Sequence, residues 1–360
     1  MTSSPAQKRP TIADVARVAG VSRTTVSHAL NDRGQVHAGT RERVKEVAAS
    51  LGYRPSVRAQ RLRSGRSRAI ALLSSMPTAV SAGPARLGFF TELAVGCAEN
   101  ALLRGYSLVL VPPSEDPGAL GLLDIDGAIL LEPPADDPLA TELAQRDIPF
   151  VTIGEDLDGA GSGRSVDLRH HDVADLLLAH LTERGARTIG LLVGSSGRQS
   201  QEVFRSLYLE RAEASGASPA IAVADERGGE QAGYEAARSL LRERPDLDAL
   251  CVPIDAFASG AVAAAGEAGR TVGEDLLVAT RYDGIRARSA RPPLTAVDLH
   301  LGDVSRVAVD LLLAELDRAD GGDAVGAVSA RAIPAPVLLP RASTGTGPVS
   351  DRRPSGARSR

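Results

Sequence analysis

Thr11-Ile-Ala-Asp-Val-Ala-Arg-Val-Ala-Gly-Val-Ser-Arg-Thr-Thr-Val-Ser-His-Ala-Leu30 reads as two short helices joined by a tight turn. Thr11 and Asp14 stand three apart at the head of an apolar-periodic run, a capping box with Asp in place of Glu. Ile12, Val15, Ala16 and Ala19 recur at helical spacing, and Gly20 stops the run. Ser22 caps the second helix, which ends at Asn31-Asp-Arg-Gly34. Thr40 is read as the cap of a third, with Val44, Val47 and Leu51 on one face and Gly52 as its stop. Three short helices in about 40 residues, two of them joined by a Gly-containing turn, make a helix-turn-helix unit.

On a helical wheel Val26, Ala29 and Leu30 share one arc of the second helix, and Arg23, Thr24, Ser27 and His28 share the opposite one. That outer arc has donors and a cation but no carboxylate. The charge around it agrees. Up to Arg68, fourteen Lys or Arg face Asp14, Asp32, Glu42 and Glu46, a net of +10; since the chain totals −4, the remainder carries −14. A basic end on an acidic body is expected where one end meets a polyanion, and a merely solvated basic surface is the plainer alternative. Read as a groove-binding helix, Arg23 suits guanine, Thr24 a base edge or thymine methyl, and His28 a guanine or phosphate. Ser22, Thr25 and Ser27 suit phosphate oxygens. After Tyr53-Arg-Pro-Ser56, a very basic helix of about two turns is predicted at 57–63, too short to persist in water without a partner.

From residue 69 short apolar runs alternate with helical stretches. Strands are expected near 69–74, 107–111, 127–131, 150–153, 188–193, 220–224, 249–252 and 276–280. Helices are expected near 88–104, 172–184, 199–215, 231–244, 256–269 and 302–318. Buried strands joined by crossover helices make open parallel sheets, and this many strands suggests two lobes. The 360 residues exceed one ordinary core. Cys97 and Cys251, each inside an apolar run, read as small buried hydrophobes. The polar start of the chain lacks a secretory h-region, and no run reaches a membrane span, so a cytoplasmic protein is expected.

The strings Thr11–Ser22 as quoted, Thr25-Val-Ser27, Ala29-Leu-Asn31, Thr40-Arg-Glu-Arg-Val44, Leu51-Gly-Tyr-Arg-Pro55 and Leu62-Arg-Ser-Gly-Arg-Ser67 closely resemble, in order and spacing, the head of lactose-repressor (LacI/GalR) family regulators. His28 departs from the Arg of many members. The resemblance implies a hinge helix at 57–63 that folds on DNA, paired across the minor groove, with Leu62 as a wedge between base steps. Without it, Leu62 is as readily an apolar anchor. Ala59 is small enough for close groove approach, and Thr11, Asn31, Tyr53, Ser56 and Arg63 complete the candidate DNA contacts.

More loosely, the body resembles the same family through Asp255-Ala-Phe-Ala-Ser-Gly-Ala261, Arg281-Tyr-Asp-Gly284, Pro293-Leu-Thr295 and Arg341-Ala-Ser-Thr344. The implied architecture is α plus α/β: a helix-turn-helix head with hinge helix, then a two-lobed periplasmic-binding-protein-like sensor body. The divisions are 10–55 head, 56–68 hinge and linker, 69–344 ligand-sensing and dimerisation body, and 345–360 a Gly-, Pro-, Ser- and Arg-rich disordered tail. Effector-site candidates follow by position. Phe89 and Phe90 stand near a ligand-flanking aromatic, or pack in the core. Asp255 accepts ligand hydroxyls or caps its helix, and Asp283 has the same two readings. Arg205 lies beside the family's ligand arginine, where Phe204 stands, and Arg169-His170 replaces a common Asp-Asn pair. These departures leave the effector open.

The resemblance thus implies a dimeric regulator of a pseudo-palindromic DNA operator, modulated by a small molecule, without cofactor or metal. Enzyme motifs such as Gly-x-Ser-x-Gly and His-Glu-x-x-His are absent from the sequence. The adjacent His170-His171 suits a solvated or lobe-interface pair better than a shared metal. A free solute-binding protein would share the body but would need export.

Overall fold

A computed structural model of the chain describes residues 10–30, 35–53, 66–81, 88–114, 116–154, 157, 164–319 and 333–345. It divides into two compact units, Met1–Ser67 and Arg68–Arg360. The hinge helix expected at 57–63, most of the tail, and Asn31, Ser56, Ala59, Leu62 and Arg63 lie outside the described residues.

In the first unit α1 (Ile12–Ala19), α2 (Arg23–Leu30) and α3 (Ala38–Ser50) close on a small core of Val15, Ala16, Ala19, Val26, Ala29, Val44 and Ala48. Gly20, at φ 65°, ends α1 in the left-handed conformation, and its N–H and that of Val21 both return to the Ala16 carbonyl. That turn needs glycine. The third helix corrects the sequence reading. It starts at Ala38, not after Thr40; the His37 carbonyl accepts from Thr40 and Arg41 without a side-chain cap.

The second unit holds two sheets. The first, in the order β2-β1-β3-β4-β5, is built from β1 (Ala69–Leu73), β2 (Ser107–Leu110), β3 (Gly127–Leu131), β4 (Phe150–Ile153) and β5 (Ser165–Val166). All its pairings are parallel. The second has the order β11-β10-β9-β8-β6-β7. Its strands are β6 (Ile189–Gly194), β7 (Ile221–Ala224), β8 (Ala249–Cys251), β9 (Leu277–Tyr282), β10 (Thr295–Asp298) and β11 (Val337–Leu339), the last antiparallel to β10. The helices are α4 (Thr78–Ser81), α5 (Phe89–Leu103), α6 (Pro138–Gln145), α7 (His170–Glu183), α8 (Gln199–Ser215), α9 (Gly229–Glu243), α10 (Asp255–Glu267), α11 (Ile285–Ser289) and α12 (Leu301–Ala319). β5, β10, β11, α4, α6 and α11 are additions to the sequence reading. Most are too short to show a period, although Asp137 capping α6 with Pro138 at its first position was a readable signal.

The chain passes from the first lobe to the second after β5, returns after β10 so that α12 packs on α5, β3 and β4, and comes back to lay β11 beside β10. The first two passages share one device. Val166-Asp-Leu-Arg169 and Val297-Asp-Leu-His300 each fold the Asp carboxylate onto the N–H two residues on, at 2.7 and 2.8 Å. Arg169 and His300 thereby take left-handed backbones, φ 52° and 53°. Cys97 and Cys251 are fully buried, which pushes both thiols up to about 12. Among the described residues no helix is long and apolar enough to cross a membrane, and no His, Cys, Asp and Glu group could hold a metal.

Candidate functional site

Two regions gather candidate residues. In the head, Val26 and Ala29 turn α2 inward, leaving Arg23, Thr24 and His28 exposed and Thr25 and Ser27 half-buried. The helix start is fixed locally: Ser22 Oγ accepts the Thr25 N–H at 3.0 Å and pairs with the Thr25 hydroxyl at 2.8 Å. Such a cap sets the angle at which the first turn projects. At α1 the Asp14 carboxylate accepts from the Thr11 hydroxyl at 2.7 Å and the Thr11 N–H at 2.9 Å. Those bonds, with Arg17 at 3.1 Å, lower the Asp14 pKa to about 2. Tyr53 is half-buried against the head core.

In the body, a cleft is lined by Met76, Val80 and Phe89 with Glu132, Arg198, Ser200, Gln201 and Glu226, and by Pro253, Ile254, Asp255, Arg281 and Tyr282. These residues end parallel strands, follow their carboxyl ends or lie in the first turn of the helices beyond them, where open α/β sheets place ligands. Phe89 and Asp255 of the sequence candidates lie here. The others do not. Phe90 is buried in the core behind Phe89. Arg169 turns back to Asp172, its Nε 2.6 Å from Oδ2. Arg205 is exposed on α8. Asp283 is buried between Arg341 at 2.6 Å and Arg288 at 3.0 Å. Burial pushes that carboxyl up, but hydrogen bonds from both arginines overcome it and hold its pKa low.

Asp255 is also not a cap. Ile254 is the N-cap and Asp255 the first helical residue. Its Oδ2 is buried without a hydrogen-bond partner, 3.8 Å from Arg286 Nε. Burial raises its pKa against the pull of Arg286. Such an acceptor is costly unless an occupant donates to it.

Sequence reasoning missed the charged centre. Glu132, the residue after β3, receives Arg281 Nη1 from β9 at 2.6 Å. His170, at the start of α7, lies 3.5 Å from Glu132 Oε1 through Nε2 and 3.5 Å from Arg281 Nη1 through Nδ1. Arg198, the N-cap of α8, donates to the Glu132 carbonyl and to Ser75 Oγ at 3.1 Å. Ser75 donates to the Asp137 carboxylate at 2.5 Å. All six side chains are buried. Burial would raise Glu132, yet the charge and hydrogen bond of Arg281, with the charge of Arg198, hold it below the usual carboxylate range. Burial, reinforced by Arg281, keeps His170 neutral, with its pKa lowered to about 4. The Arg281 guanidinium lies 5.1 Å from the Phe89 ring centroid, and Phe89 meets Tyr282 edge-on at 5.4 Å. Glu226 accepts from the backbone and hydroxyls of Ser195 and Ser196 and so braces the wall after β6.

Residues 11–56 match the family described as bacterial regulatory proteins, lacI family, and residues 178–344 match a periplasmic binding protein-like domain. The HTH-type transcriptional regulator CelR of Thermobifida fusca is 30% identical over 335 residues, covering 86% of this chain and 94% of that protein. An HTH-type transcriptional repressor PurR of Haemophilus influenzae is 30% identical over 325 residues, covering 87% and 93%. A solved transcriptional regulator CelR–cellobiose complex superposes with a TM-score of 0.63 at 27% identity, over 93% of this chain and 100% of that one. The lac repressor dimer bound to operator and an anti-inducer shares the fold, with a TM-score of 0.71 at 23% identity over 94% and 100%. The head geometry, the two-lobed body and these full-length likenesses place the chain in the LacI family of DNA-binding transcriptional regulators.

Proposed function

We propose that the chain is a cytoplasmic homodimeric repressor that binds a pseudo-palindromic operator and uses the cleft to sense a small molecule, without catalysing a reaction. The observation that carries it is the outer face of α2, where Arg23, Thr24 and His28 are exposed on a capped helix whose other face is locked in the head core. In this reading Arg23 and Thr24 meet base edges, His28 a base or phosphate, and Thr11, Ser22, Thr25, Ser27, Asn31, Tyr53 and Ser56 the backbone. The hinge at 56–68, with Ala59, Leu62 and Arg63, enters the minor groove. Effector binding in the body, 69–344, changes lobe closure and with it the pairing of the hinges.

Two heads need a two-fold body. Val95, Leu102 and Leu103 lie along the outer side of α5, exposed by 55%, 73% and 83%, and Leu110 on the neighbouring edge strand β2 is 51% exposed. A free strand edge beside an apolar helix face suits a second copy of the chain.

The test is selection of genomic fragments by the purified chain, then titration of the recovered site against a scrambled duplex over a salt series. The recovered site is expected to bind tighter, with affinity falling roughly 10³–10⁵-fold between about 50 and 200 mM salt. Equal affinity for both duplexes would refute the reading.

A further inference from the structure

The cleft has a cavity volume of only about 40 Å³. The chain itself bridges the cleft. Glu132 reaches from the first lobe and Arg281 from the second, and they meet at 2.6 Å with side chains 5% and 8% exposed. Glu132 is held twice, its carboxylate by Arg281 and its carbonyl by Arg198. It takes a left-handed backbone, φ 41°, to present both groups. Gly154 backs this turn, where an added Cβ would lie 3.3 Å from Glu132 Cγ.

We infer that Glu132 and Arg281 are the specificity-determining pair of this cleft: they clasp the lobes together in the place of a ligand and exclude an uncharged polyol. The inference rests on the cleft being the sensing site. An uncharged molecule wedged between the two lobes parts a buried carboxylate from its guanidinium and returns no counter-charge to either. Separated buried charges of this kind are strongly unfavourable, whereas the pair kept together, or replaced by apolar groups, is not. Discrimination of this sort works by penalising the wrong occupant.

The test is hydrogen–deuterium exchange over residues 128–133 and 277–283, on the full chain, without ligand and with cellobiose or D-glucose at millimolar concentration. The free wild-type chain is expected to be protected in both segments, and neither sugar to add protection. Glu132→Gln and Arg281→Met, each leaving one charge alone, are expected to speed exchange there about tenfold or more. The double variant Glu132→Met/Arg281→Met is expected to recover most of the protection and to melt no lower than either single, which separates loss of the clasp from loss of the fold. Single variants that exchange as slowly as wild type would overturn the inference, as would protection of the wild-type cleft by either sugar. A metabolite whose protection maps away from these segments would refute the cleft as the sensing site and leave the clasp standing.

Discussion

His170 shows how one side chain ties stability to pH. In the folded chain burial and Arg281 keep it neutral down to about 4. In the unfolded chain it takes a proton near pH ~6.5. Between those values the unfolded state binds more protons, so stability falls as pH falls through this window and is unaffected by His170 above it. Glu132 and Asp167 favour its protonated form and Arg281 opposes it; burial outweighs both. The lost stability approaches about 3 kcal/mol by pH ~4. Thermal melts of wild type and His170→Asn between pH 7 and 4 check this: the variant's melting temperature is expected to fall less steeply. None of this was legible locally. His170 read as one of a lobe-interface or solvated pair, and the structure buries it while leaving His171 exposed. Its partners lie 38 and 111 positions away in the chain, beyond any helical or strand period.

At the level of elements, legibility followed length and chemistry. α2 and its Ser22 cap, and strands such as β1 and β3 with five consecutive buried apolar residues, were readable because period and cap are local signals. β5 and β11, two and three residues long, carry no period and exist through their neighbours. Contact between helices is similarly hidden. α9 and α10 approach through Gly233 and Gly260: a Cβ on Gly260 would lie 2.2 Å from the Glu230 carbonyl oxygen, and one on Gly233 2.4 Å from Phe257 Cα. Backbone is the obstacle in both cases, so the helices have to part. Gly260→Ala is expected to destabilise the body by about 1–3 kcal/mol in urea unfolding. Adding Gly233→Ala should cost less than its own single effect, because both relieve the same contact.

For the whole molecule, the proposed repressor needs two copies acting together. If α5 and the β2 edge form the dimer, Leu102→Glu with Leu103→Glu should yield monomers in sedimentation and weaken binding to a two-half-site operator by about 10²-fold or more. Binding to a single half-site should change little. A variant that stays dimeric would remove this surface from the assembly. The doubly wound body could be read from sequence because its strand–helix alternation repeats over long stretches. The cleft could be read only in part: Phe89 and Asp255 follow from position, whereas the Glu132–Arg281 pair joins loci 149 residues apart. The passage of the chain between lobes also has a genetic consequence. A recombination event with a single joint can graft a different operator-reading end onto this body, since that end is one uninterrupted stretch. Neither lobe is uninterrupted: the first takes α12 from beyond the second's strands, and the second takes β11 from beyond α12. Operator choice can therefore be reshuffled between relatives in one step, while the two halves of the cleft are inherited as a single locus and must change together by point substitution.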